Sequence, residues 1–182
     1  MTEIIALKPG DGLWADAAAF AQESAWRAGP YLARMMRRRA FLPWERVFLA
    51  REEGEDAGYC ALLRDDELPP EHGLFPFIGF VYVEERRRGR RLSGKMIDHA
   101  VAYAARCGFP RVYLMSGEKG LYEKYGFRPL GEYETVFGTV DQLFVKETKK
   151  KKYRRTDASA RLSVCGQISC LEATLSKSAV TS

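Results

Sequence analysis

Residues 81–100 read VYVEERRRGRRLSGKMIDHA, a β-rich run, then five arginines in six positions around Gly89, then an apolar-striped run. A turn leading from a strand into a helix presents the first free backbone N–H groups of that helix, and the helix dipole adds positive potential there. Gly89 lets the backbone turn tightly, Ser93 and Gly94 keep the helix start uncrowded, and Arg88, Arg90 and Arg91 add charge. A pyrophosphate fits such a place. A solvated surface turn is the competing reading, because a strand, a glycine and a helix recur in many folds. The second group lies in SGEKGLYEKYGF, residues 116–127, where Tyr122 opens a short helix that Gly126 ends. Its phenol can project from the end of a strand toward the arginine turn; a core tyrosine is the alternative.

The elements that must position these residues follow from pattern. Residues 3–8 read as a first strand, broken by PGDG. Residues 14–39 are helical, with Gly29-Pro30 dividing them into two helices. Residues 47–51 and 58–64 are β-rich and separated by EEGED, which predicts a hairpin. Residues 77–83 form the strand that ends at the arginine cluster. From Leu92 the apolar residues Leu92, Met96, Ile97, Ala100, Val101 and Ala104 share one helical face, and Gly108 and Pro110 stop the helix. Residues 111–115 predict another strand, 120–125 a short helix, and 132–146 one or two final strands. This order is an α/β arrangement around a mixed sheet.

Composition bounds the function. The chain has 182 residues, 46% of them apolar, enough for one domain with a proper core. No window is long and apolar enough to cross a bilayer, and the N-terminus lacks the pattern of a signal peptide, so a soluble cytoplasmic protein is expected. The net charge of +5 suggests a nucleic-acid partner until it is divided by position. Residues 1–146 carry 21 basic and 21 acidic side chains, whereas residues 147–182 carry eight and three. The body is neutral, which argues against a broad phosphate-tracking face. We expect a folded domain over residues 1–146 and a basic, Ser/Thr-rich, disordered tail over 147–182. Cys60, Cys107, Cys165 and Cys170 form no CxxC pair and only two histidines exist, so no metal site is expected.

The two motifs, in this order and at this distance, resemble those of the GNAT superfamily of N-acetyltransferases. Its signature is a fourth strand running into R/Q-x-x-G-x-G/A at the start of a long helix, then a fifth strand, then a segment of the type LYEKYGF. Residues 88–93 lie at the first motif and residues 121–127 at the second, and the resemblance spans roughly residues 3–146. It departs at Arg91 and Ser93, in places usually held by glycine and by glycine or alanine. A side chain at Arg91 must point away from a pyrophosphate or pair with it.

The resemblance implies a single GNAT-like domain with a mixed, mostly antiparallel sheet, flanking helices, and splayed fourth and fifth strands. Acetyl-CoA, as co-substrate, would lie in that gap. Backbone groups around Val81 and Val83 would pair with its pantetheine arm, and Arg88, Gly89, Arg90, Arg91, Leu92, Ser93 and Gly94 would hold the pyrophosphate. An amine would attack the thioester directly. Tyr122 matches the family's general acid; since a phenol titrates near ~10 and a thiol near ~8.5, hydrogen bonding to the departing thiolate matters more than full proton transfer. Glu118, four residues earlier, is the candidate base, with Glu23 and His72 as weaker ones. Trp14, Trp26, Tyr31, Trp44 and Phe75 could line the acceptor side, and the acceptor is a small-molecule or peptide amine. Two other readings stay open: a catalytically silent acyl-CoA sensor, and a nucleic-acid module built on the two basic runs. Edge strands after Gly131 could pair two copies.

Overall fold

A computed structural model describes residues 1–148; the predicted tail from residue 149 onward, with Cys165 and Cys170, lies outside the described residues. Seven strands form one sheet in the order β1-β2-β3-β4-β5-β7-β6. The strands are β1 (Thr2–Leu7), β2 (Arg46–Glu52), β3 (Glu55–Leu63), β4 (Phe77–Val83), β5 (Arg111–Ser116), β6 (Arg128–Glu134) and β7 (Val140–Glu147). All neighbours are antiparallel except β4 and β5.

Three helices, α1 (Trp14–Glu23), α2 (Gly29–Arg37) and α3 (Leu92–Arg106), cover the two faces. The apolar stripe of α3, Met96, Ile97, Ala100, Val101 and Ala104, packs on Phe48, Cys60, Leu62, Ile78, Val112, Leu114 and Phe144. Strand alternation sends Val47, Leu49, Tyr59, Ala61 and Leu63 to the opposite face, against Ala17, Ala21, Leu32, Ala33 and Met36 of α1 and α2.

Three local outcomes differ from the sequence reading. The hairpin turn is only two residues long: Glu53 and Gly54 both take positive φ (55° and 87°), the geometry that matches strand twist, so β3 begins at Glu55. The short helix expected over 120–125 shrinks to a single turn, Glu123–Tyr125, which Gly126 closes at φ 82°. The segment 128–147 supplies two strands, with β6 starting at Arg128, and the later strand β7 inserts between β5 and β6.

One feature of the sheet matters most. β4 and β5 share a single residue pair, Phe77↔Tyr113, with the Tyr113 N–H donating to the Pro76 carbonyl at 2.9 Å. Beyond it, Gly79 pairs with Ala61 and Tyr82 with Tyr59, so Phe80 and Val81 together oppose Cys60. This is a β-bulge, and Phe80 sits in the left-handed region at φ 53°. The bulge turns β4 away from β5, and a gap opens from Gly79 to Val83.

Candidate active site

The mouth of that gap is the arginine turn. After β4 the chain makes one tight turn, Glu85–Arg87, and enters α3 through Gly89 (φ 80°) and Arg91 (φ 59°). Arg91 is the N-cap residue and no side chain caps the helix, so the first N–H groups of α3 face outward. The five arginines divide into two sets. Arg86 and Arg87 contact the Glu84 carboxylate at 2.9 and 3.3 Å, and Arg87 and Arg90 contact Glu52 at 3.5 and 3.0 Å. Desolvation alone would push the Glu52 carboxyl up, but hydrogen bonds from Thr2, Arg90 and Arg87 outweigh it and hold the group below the usual carboxylate range. Arg88 and Arg91 have no carboxylate partner among the described residues; Arg88 Nε donates to the Val83 carbonyl at 3.3 Å.

These two arginines line a cavity of about 270 Å³ together with Val83, Gly89, Leu92, Ser93, Leu121 and Tyr125. Of the residues expected at a pyrophosphate, Arg90 is therefore turned away to Glu52, and Gly94 lies behind the cavity wall. Gly94 is needed there for a reason the motif did not suggest. A Cβ on it would come within 2.9 Å of the Tyr125 ring, whose hydroxyl is 2.7 Å from Ser93 Oγ. Tyr125 is thus a wall residue that sequence reasoning missed, although its place three residues after Tyr122 in the same motif was a signal. A larger hollow of about 540 Å³ on the other side of Tyr125, lined also by Lys124, Gly126, Arg128, Val145, Lys146 and Glu147, is open to solvent.

Tyr122 is buried, with its ring 5.6 Å from Phe144 and 6.2 Å from Phe127. Burial pushes its phenol up to about 12, a hydrogen bond with Ser116 pulls it partly back, and the nearby carboxylates Glu118 and Asp66 add to the rise. Such a phenol stays protonated across the working pH range and can donate. Glu118 is exposed on the loop after β5, its N–H donating to Ser116 Oγ at 3.1 Å.

Asp66, in the β3–β4 connection, is the carboxylate that sequence reasoning passed over. Loss of solvent raises its carboxyl to about 8, and the charges of Glu67 and Asp141 add to the effect, against a hydrogen bond from the Glu67 N–H. Its run, Asp65-Asp66-Glu67 ahead of two prolines, was legible only as a polar connector. The weaker base candidates lie elsewhere: Glu23 is exposed at the end of α1, and His72 is exposed with its ring edge-on to Tyr133 at 5.4 Å. The aromatic candidates also separate. Trp26 and Tyr31, 36% and 54% exposed, pack on Phe80 of the bulge at 6.3 and 6.1 Å. Trp14 is core, its indole donating to the Met36 carbonyl at 3.1 Å. Trp44 and Phe75 gather around Phe109, ahead of β5 and so at the closed end of the parallel pair.

Residues 14–127 match the model of the acetyltransferase (GNAT) family. The chain belongs to that family. Membership assigns it to acyl transfer in general. No curated protein matches the chain. Among solved structures, a GNAT acetyltransferase from Streptococcus pneumoniae is similar at 17% identity and TM-score 0.58, over 82% of this chain and 100% of that one. An aminoglycoside 6'-N-acetyltransferase complexed with coenzyme A is similar at 13% identity and TM-score 0.60, over 83% and 99%. A spermidine/spermine N-acetyltransferase from Vibrio cholerae is similar at 16% and 0.56, over 82% and 94%. At these identities the likeness is one of fold.

In this GNAT chain the departure at Arg91 has a backbone meaning. The position needs φ of 59°, which glycine takes freely and other residues do not. Arg91 keeps the left-handed backbone, remains exposed, and adds a guanidinium to the cavity. Ser93 uses its hydroxyl to hold Tyr125.

Proposed function

We propose that the chain transfers an acetyl group from acetyl-CoA to a primary amine. The observation that carries this reading is the parting of β4 and β5 with the uncapped start of α3 at its mouth. In this reading the pantetheine arm runs along β4 and pairs with the backbone at Val81 and Val83. The N–H groups from Gly89 to Ser93 hold the pyrophosphate, assisted by Arg88 and Arg91. The bulge at Phe80 and Val81 gives β4 amides that the ladder does not use, suited to the oxyanion that forms as the amine attacks. As the C–N bond forms and the C–S bond breaks, the Tyr122 O–H donates to the departing thiolate. Two carboxylates lie near enough to act on the Tyr122 phenol, Glu118 and Asp66, and either has the chemistry of a base.

Neutral pairing within the arginine turn counts against a nucleic-acid face, because three of its five arginines are already spent on Glu52 and Glu84. Among the described residues no helix is long and apolar enough to cross a membrane. The acceptor belongs to the amines; aminoglycosides and spermidine, named for two structural neighbours, are the first probes. Calorimetric titration of the full chain with acetyl-CoA, with NADH as control, tests the donor. Saturable binding of acetyl-CoA alone is expected, and no binding removes the reading.

A further inference from the structure

This step rests on the amine-acetylating reading above and concerns the proton that the acceptor must lose. We infer that Asp66 is the catalytic base, taking that proton from the ammonium form of the acceptor at the open end of the β4–β5 gap.

Placement is the first argument. The Asp66 carboxylate lies directly on the backbone of Gly79: a Cβ there would sit 3.0 Å from Oδ1 and 3.1 Å from Oδ2. A methyl here would press on the carboxylate, so glycine leaves it room against the strand. Gly79 immediately precedes the bulge and follows the last β4–β5 pair by two residues, so the carboxylate stands where the gap opens. Alternation supplies the second argument. Ile78, Val81 and Val83 belong to the core under α3, whereas Phe80 and Tyr82 belong to the other face, with Trp26 packed on both. Gly79 shares that other face. A donor arriving from the α3 turn and an acceptor arriving from the side of α1 and α2 would therefore meet at the bulge, with Asp66 beside the acceptor.

The surroundings fit a cationic visitor. The titratable groups that face Asp66 are Glu67 of the same connection, Asp141 of β7 and the Tyr122 phenol; Glu67 shares a hydrogen bond with Asp141, and the charge of Arg27 reaches Glu67. No lysine or arginine pairs with Asp66 among the described residues, so an arriving ammonium would be its first counter-ion. A carboxyl held near 8 is also better matched to an amine's proton than an ordinary carboxylate. Glu118, exposed on its loop, has neither the close strand contact nor the desolvation.

The step balances. The ammonium gives one proton to the Asp66 carboxylate and becomes a neutral amine, whose lone pair forms the C–N bond. The tetrahedral adduct expels the thiolate as the C–S bond breaks. The second nitrogen proton and the Tyr122 O–H leave amide and thiol as products with Tyr122 restored, and Asp66 releases its proton to water.

The test uses the full chain and Asp66→Asn, with acetyl-CoA binding measured first by calorimetry. Rates are then compared for spermidine and kanamycin, protonated at neutral pH, and for hydroxylamine, which is not. Equal acetyl-CoA affinity is expected, with kcat for the protonated amines falling roughly 100- to 10,000-fold and the hydroxylamine rate far less. Raising the pH should recover the variant's rate with the protonated amines. Gly79→Ala, whose methyl crowds the carboxylate without removing it, should show the same selectivity in smaller degree and guards against a folding defect in the first variant. A rise in KM with kcat unchanged overturns the base role and leaves Asp66 a cation-holding residue. Equal losses on all acceptors, or a selective loss in Glu118→Gln and none in Asp66→Asn, also overturn it. A wild type that binds acetyl-CoA yet acetylates none of the three leaves no reaction for a base to serve. A wild type that binds no acetyl-CoA refutes the functional reading itself, and the two failures are thereby distinguished.

Discussion

Asp66→Asn should change the pH dependence of folding in a way that needs no acceptor. The carboxyl titrates at about 8 in the folded chain, against about 3.9 in an unfolded one. A carboxyl raised by folding binds its proton more tightly in the native state, so its contribution is fully present below about pH 3.9 and is lost as pH rises toward 8. Between those values each pH unit removes about 1.4 kcal/mol, giving a ceiling of about 4 kcal/mol from pH 5 to pH 8. Asp66 keeps part of its surface in water, and solvent screening reduces the expectation to about 2 kcal/mol. Asparagine cannot ionise. The variant should therefore gain on the wild type steadily with pH, whatever constant offset the amide brings. Urea denaturation of both proteins at pH 5, 6.5 and 8.5 measures the difference, with all shared titrations cancelling. A difference that varies by less than about 0.5 kcal/mol over that range, inside the extrapolation error, would refute the desolvation argument. A variant that loses on the wild type as pH rises would mean that a cation pairs with Asp66.

Tyr122→Phe should lower kcat roughly 10- to 1000-fold with little change in acetyl-CoA affinity; steady-state kinetics alongside calorimetry checks both halves, and an unchanged kcat removes the phenol from the reaction. Arg91→Gly should stabilise the fold by about 0.5 kcal/mol, since relief of a left-handed arginine (about 1–2 kcal/mol) exceeds the added chain entropy of glycine (about 0.5–1 kcal/mol). The same variant should weaken acetyl-CoA only a few-fold, because the N–H groups remain; a loss beyond about 100-fold, some 2.7 kcal/mol, would make the guanidinium the principal anion ligand.

The parts of this site that could be read from sequence are those written in local pattern. The apolar spacing from Leu92 to Ala104 places α3, and the run of β residues into Gly89 places the turn, because helix period and glycine conformation are local properties. The splay of β4 from β5 was expected only through the family resemblance. Its cause is a left-handed phenylalanine at position 80, and nothing in the residues 77–83 marks Phe80 as the bulge. Asp66 escaped for a related reason. Its chemistry depends on Gly79 leaving room across the strand and on Asp141 approaching from β7, contacts set by the tertiary fold. The five aromatic candidates for the acceptor side also part company in the fold: Trp26 and Tyr31 reach the bulge, Trp14 is core, and Trp44 and Phe75 stand at the closed end of the parallel pair.

The positive-φ residues that are not glycine carry a consistent meaning. Glu53 belongs to a two-residue hairpin turn and Arg39 follows the end of α2, both ordinary places for that backbone. Phe80 and Arg91 have no such excuse, and they stand at the two ends of the path proposed for the coenzyme. What holds each in place is visible. Phe80 is clamped between Trp26 and Tyr31. The turn that carries Arg91 is tied back to β2 by the Arg87 and Arg90 contacts with Glu52, a carboxylate only 8% exposed. A carboxylate with so little access to water stays paired, because it would be unfavourable without its arginines. The cluster of arginines therefore has a division of labour that neither a nucleic-acid grip nor an idle surface turn requires. Arg87 and Arg90 fasten the strained turn to the sheet, Arg86 pairs with Glu84 within the turn, and the two left over, Arg88 and Arg91, are the ones that face the cavity.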